Sequence, residues 1–96
     1  MQRKRLIAVD EFCAKHDIEV SFVRSLQQIG LIEIITVEAT GFIDADQLQQ
    51  LEKNVRFHYE LDINLAGIET ITHLLQRINK MQDEIASLRN KLRLYE

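Results

Sequence analysis

From Ile71 onward, apolar residues recur at alternating steps of three and four until the chain reaches Tyr95. Written as heptads, Ile71, Ile78, Ile85 and Leu92 take the a positions, and Leu74, Met81, Leu88 and Tyr95 take the d positions. That is the seam of a coiled coil. The residues between them, among them Arg77, Lys80, Asp83, Glu84 and Arg89, favour helix and keep the other faces in water. At about 1.5 Å per residue such a helix runs roughly 37 Å, farther than a small domain can cover, so the stripe requires a partner. Ile68 and Leu75 widen the stripe over its first turns, where the helix is expected to pack on its own domain as well.

Upstream the pattern changes. A short apolar stretch, Leu6 to Val9, leads into a predicted helix over Asp10 to Lys15 that turns Phe12 and Cys13 inward. Asp10 and Glu11 suit its amino-terminal end. His16 to Glu19 join it to a second helix, about Val20 to Ile29, with Val20, Phe22, Val23 and Leu26 inward and Gly30 just beyond its end. Two helices with a tight join predict a helix-turn-helix. The β-branched run Ile32 to Glu38 predicts a strand, with Ala39, Thr40 and Gly41 as the turn to a brief Phe42–Ile43 return; together they form a hairpin, or wing.

Asp44 and Gln47 have the spacing of a capping box for a third helix, with Ile43 able to staple onto Leu48. Its buried side would hold Leu48, Leu51, Val55 and either His58 or Tyr59, and it should stop near Leu61 and Asp62. Asn64 is placed to cap the last helix, Ile63 to staple onto Ile68, and Gly67 to let a neighbour approach closely. The whole order predicts a mainly α chain. Residues 1–62 form a winged helix-turn-helix with a small β-hairpin wing, and 63–96 a long coiled-coil dimerisation helix.

Composition sharpens the functional side. A chain of 96 residues buries only a modest core, so association through the long helix is an expected source of stability. The net charge is −3, and residues 1–40 hold five basic and six acidic side chains. Nucleic-acid binders usually carry a basic excess, so DNA binding is expected to be weak or absent. The single Cys13 excludes an internal disulfide and fits a reducing cytosol. The basic start Arg3, Lys4, Arg5 is followed only by Leu6 to Val9 before Asp10, which predicts neither a signal peptide nor a membrane span.

Cys13 and His16 have a metal-like spacing, but a zinc site needs three or four ligands, and His58 and His73 fall on different helices. Cys13 is read as a core residue and no metal is expected. With three glycines the chain offers no phosphate-cradling loop, and neither a nucleophile elbow nor a paired-carboxylate pocket. It is expected to be neither an enzyme nor a cofactor carrier.

Val9-Asp-Glu-Phe-Cys-Ala-Lys-His-Asp-Ile18, Val23-Arg-Ser-Leu-Gln-Gln-Ile-Gly-Leu-Ile32 and Leu61-Asp-Ile-Asn-Leu-Ala-Gly-Ile68 resemble MerR-type regulators over nearly the whole chain. Phe42 to Leu48, Arg56-Phe-His-Tyr-Glu-Leu61, Leu65-Ala-Gly-Ile68 and Leu88-Arg-Asn-Lys-Leu92 resemble more closely the chaperone-modulator CbpM family. That resemblance implies a cytoplasmic bacterial protein that binds the J-domain of a DnaJ-like co-chaperone, CbpA, and inhibits it. MerR-type DNA readers usually carry aromatics after the arginine of the second helix and an arginine after the aromatic of the wing. Here Arg24 is followed by Ser25 and Leu26, and Phe42 by Ile43, so the phosphate-contacting set is depleted.

A J-domain presents a basic helix to DnaK, and an acidic surface has the right sign to compete for it. Asp44, Asp46, Glu52 and Glu60 on the third helix are therefore the candidate partner-binding residues, with Arg24 next; the ordinary reading of those acids is a solvated face. A MerR-family DNA-binding regulator and a coiled-coil adaptor are the alternatives. For the expected homodimer, a parallel pair sets Glu84 against Arg89 and Lys91 against Glu96, whereas an antiparallel pair sets Arg77 against Glu84. The resemblance implies antiparallel.

Overall fold

A computed structural model describes residues 5–95. Strand β1 (Leu6–Ala8) runs directly into α1 (Val9–His16), followed by α2 (Val20–Gln28), β2 (Ile35–Val37), β3 (Thr40–Asp44), a 3₁₀ turn (Ala45–Gln47), α3 (Leu48–Tyr59) and α4 (Leu65–Arg93). The strands form an antiparallel sheet in the order β1-β3-β2. The helices fall close to where the periodicity placed them, with the hairpin between α2 and α3. The third strand is new: Leu6, Ile7 and Ala8 pair with Asp44, Ile43 and Phe42, and three residues at a chain end have too little alternation to announce a strand.

The join of α1 to α2 is closed by the backbone. Asp17 adopts a left-handed φ of 54°, the Ile18 N–H donates to the Cys13 carbonyl at 3.0 Å and the Asp17 N–H to that of Ala14 at 3.4 Å. This is a Schellman motif, which satisfies carbonyls left free at a helix end. The same motif ends α2, with Gly30 at φ 81° and Leu31 N–H donating to the Leu26 carbonyl at 3.0 Å. With both termini fixed, Phe12 and Cys13 of α1 meet Phe22, Val23 and Leu26 of α2 in one core with Ile43, Leu51 and Ile68.

Three local expectations are corrected. The first strand of the wing begins at Ile35 rather than Ile32, because the Gln47 side chain accepts from the Glu33 N–H at 2.7 Å and donates to the Glu33 carbonyl at 3.0 Å. Glu33 is thereby held by a side chain and Ile32 drops into the core. The capping box does not form, since Gln47 is used in that clamp while Asp44 accepts from the Asp46 N–H at 3.0 Å to cap the 3₁₀ turn. The hairpin turns at Glu38 and Ala39, with φ 49° and 65°, and Val37 pairs with Thr40. That two-residue turn with both φ positive matches strand twist but suits Asn-Gly better than Glu-Ala.

Helix α3 ends at Tyr59, a little before the expected stop. Asn64 caps α4, its Oδ1 accepting from the Gly67 N–H at 2.8 Å. A Cβ at Gly67 would stand 2.7 Å from Ile63 Cγ2, so Ile63 lies across the first turn as a staple does. Only this end of α4 joins the domain: Ile68 and Thr72 are buried, and every described residue from His73 onward is exposed. The radius of gyration is accordingly 17.3 Å, against roughly 12.5 Å for a compact chain of this length.

Candidate partner-binding surfaces

The helix-turn-helix presents α2 and the wing to solvent. Arg24 is the only charged residue of α2 and it is exposed. The wing strands hold no cation; Glu38 stands at the tip and Asp44 at the base. Around Arg24 the chain places Asp17 and Glu19 before α2 and Glu33 after it. A face that contacts phosphates gains its affinity from clustered Lys and Arg, and α2 with the wing strands carries only Arg24.

The acids singled out from the sequence do not make one surface. Asp44 and Asp46 precede α3, sharing with Glu33 and Gln47 a shallow depression of about 380 Å³ beneath the wing. Glu52 and Glu60 lie in a separate place, where α3 meets the α1–α2 turn. With Asp17 they line a second depression of about 480 Å³, floored by Ile18, Val55 and Tyr59. Arg56 stands between the two glutamates, 3.9 Å from Glu60 with both side chains largely exposed, a spacing and exposure that make a weak tie.

What fixes this second depression is an aromatic group that no spacing in the sequence signals. Phe22 stacks on His58 at 4.6 Å and meets Tyr59 edge-on at 5.4 Å. The Tyr59 hydroxyl accepts from the Glu19 N–H at 3.2 Å, and His58 Nδ1 donates to the Ile63 carbonyl at 2.9 Å. The group thus ties the start of α2 to the end of α3 and to the α4 cap. Asp17, Ile18 and Tyr59 were absent from the sequence-based site because a turn and a helix forty residues apart form it.

Cys13 is buried, and burial, then the nearby Asp10 carboxylate, push its thiol above the ordinary value. A thiol that resists ionisation is a poor metal ligand, and the His16 ring packs on Phe12 at 4.2 Å. Among the described residues, no group of three or more His, Cys, Asp or Glu comes together to hold a metal ion.

The heptad residues are split by the domain's edge. Ile71 is half-buried, while Leu74, Ile78, Met81, Ile85, Leu88, Leu92 and Tyr95 are exposed. Large apolar side chains in an unbroken exposed row mark an interaction face. No described helix is long and apolar enough to cross a membrane.

The sequence profile of MerR HTH family regulatory proteins matches residues 7–90. No curated protein gives a match to the chain.

Proposed function

Because this chain belongs to the MerR HTH family of regulatory proteins, yet presents a helix-turn-helix poor in cations, we propose that it binds a protein rather than DNA. The reading is a cytoplasmic chaperone modulator that occupies the J-domain of a DnaJ- or CbpA-like co-chaperone and lowers its stimulation of DnaK. The observation that carries it is the scarcity of cations on the helix-turn-helix: Arg24 alone on α2 and none on the wing strands. The CbpM-like segments supply the partner class.

The working form is a homodimer through the exposed stripe of α4. An antiparallel arrangement is favoured, because exposed ion pairs contribute only about 0.2 to 1 kcal/mol and cannot outweigh docking of a whole domain against the helix ends. The direct test adds the purified protein to DnaK and the J-domain proteins of its own cell and follows ATP hydrolysis. Stimulation should fall, and Glu52→Lys with Glu60→Lys should weaken the effect. An inert result with every J-domain protein overturns the reading.

A DNA-binding regulator is the second reading, and the retained helix-turn-helix with exposed Arg24 favours it. The two readings separate by gel shift at about 0.15 M salt, where counterion release no longer sustains non-specific binding. Preferential retention of one promoter fragment would reverse their order.

A further inference from the structure

The depression that holds Glu52 does not end there. A second one of about 300 Å³, lined by Glu11, Lys15 and Phe12 on one side and Leu48 on the other, shares His16 and Glu52 with the first, of about 480 Å³. The two make a continuous trough between α1 and α3. On α3 its wall is Leu48, Glu52, Val55, Arg56, Tyr59 and Glu60, residues spaced by threes and fours and hence one helical face. From Leu48 to Glu60 the wall is about 18 Å long at a helical rise of 1.5 Å per residue.

We propose that this trough is a docking groove for a cationic amphipathic helix of a partner protein. The dimensions suit about twelve helical residues, and half-buried Leu48, Ile18 and Val55 with exposed Tyr59 give the floor an apolar strip for its hydrophobic side. The rim carries Glu11, Asp17, Glu52 and Glu60 against Lys15 and Arg56, so the local balance is acidic. Glu52 and Glu60 stand two turns apart on one face, which selects a ligand with Lys or Arg at the same two-turn spacing and an apolar residue between them over Val55. A helix entering along α3 buries an apolar stripe and meets carboxylates with its cations, which is how such grooves combine affinity and orientation.

This deepens the proposed function by naming where and how a protein partner binds, and it rests on that reading for its biological meaning. The probe is a synthetic helical peptide of about 18 residues, leucine on one side and lysines two turns apart on the flank, with a glutamate-for-lysine version as control. Titrated into the full-length isotope-labelled protein, the lysine peptide should move the amide resonances of Asp17, Ile18, Glu52, Val55 and Tyr59. Asp17→Asn with Glu52→Gln should weaken its binding about tenfold, the loss expected for two partly desolvated charge contacts. Asn is chosen because it tolerates the left-handed φ of 54° at residue 17. Glu33→Gln with Asp46→Asn, which removes two of the three acids beneath the wing, should leave binding within about twofold.

Shifts confined to α2 and the wing or to the distal α4 stripe, equal loss in both double variants, or no binding of the lysine peptide would overturn the groove. A J-domain protein that binds with affinity unchanged by Asp17→Asn and Glu52→Gln would sink the groove and leave the proposed function standing. Peptide binding in the trough with no J-domain protein bound would do the reverse.

Discussion

Leu51 on α3 and Ile85 on α4 are the same kind of residue in the same kind of position, each one step of an apolar stripe at helical spacing. Leu51 is 0% exposed and Ile85 is 49% exposed. The difference lies in what stands opposite. Across from Leu51 the chain supplies Leu26, Ile43 and Ile68, brought there by a sheet and tight helix joins. Beyond Leu75, which still shares a depression with Phe57 and Leu61, α4 outruns the described domain and its stripe from Ile78 onward stays exposed. An apolar stripe records a demand for burial; whether the same chain meets it is decided by length and topology.

That contrast can be broken most forcefully at the exposed stripe. Ile78→Ala with Ile85→Ala should cost about 2 to 5 kcal/mol per site if each is buried in a dimer seam, enough to yield monomers at micromolar concentration. Light scattering reads the outcome directly, and a monomer for the unmodified protein would remove the seam. Leu51→Ala should cost about 2 to 5 kcal/mol as well, through the cavity it leaves inside one chain. Chemical unfolding across a range of protein concentrations separates the cases: the cost at Leu51 is independent of concentration, whereas the stability lost at Ile78 and Ile85 depends on it.

Smaller effects sharpen the boundary between the regions. Asn64→Ala removes the side-chain cap at the point where α4 leaves the domain, and a drop of about 1 kcal/mol in thermal or chemical unfolding is expected. Within the domain, Glu38→Asn with Ala39→Gly should raise stability by about 0.5 to 1 kcal/mol. The turn already holds φ 49° and 65° there, which Asn and Gly adopt with less strain. A fall in unfolding midpoint would show that the wing tip is held by something other than its turn chemistry.

Local physics makes most of the fold legible in the sequence. The amphipathic spacing of Val20 to Leu26 announces a helix, Gly30 closes it with a left-handed residue, and Asn64 opens α4 by capping Gly67. Each signal lies within a few residues of its effect, so neighbours in sequence carry the information. The candidate acids were legible only as residue types. That Glu52 and Glu60 share a groove with Asp17, while Asp44 and Asp46 lie with Glu33 beneath the wing, depends on which elements pack together.

Asn54 shows the limit from the other side: three residues after Leu51 it falls on the buried side of α3, and there this polar residue is fully buried, with Gln50 donating to its Oδ1 at 3.1 Å and its Nδ2 without a partner among the described residues.

By itself, then, the sequence determined the helices, the Asn64 cap of α4, the presence of a hairpin and the existence of an apolar stripe that this domain cannot cover, because those follow from backbone propensity and side-chain period over short spans. The tertiary structure alone decided the rest. It paired Ile7 with Ile43, diverted Gln47 from a helix cap to Glu33, and drew Phe22 onto His58 and Tyr59. Those contacts join residues far apart along the chain, and their partners are selected by packing geometry that no local spacing encodes.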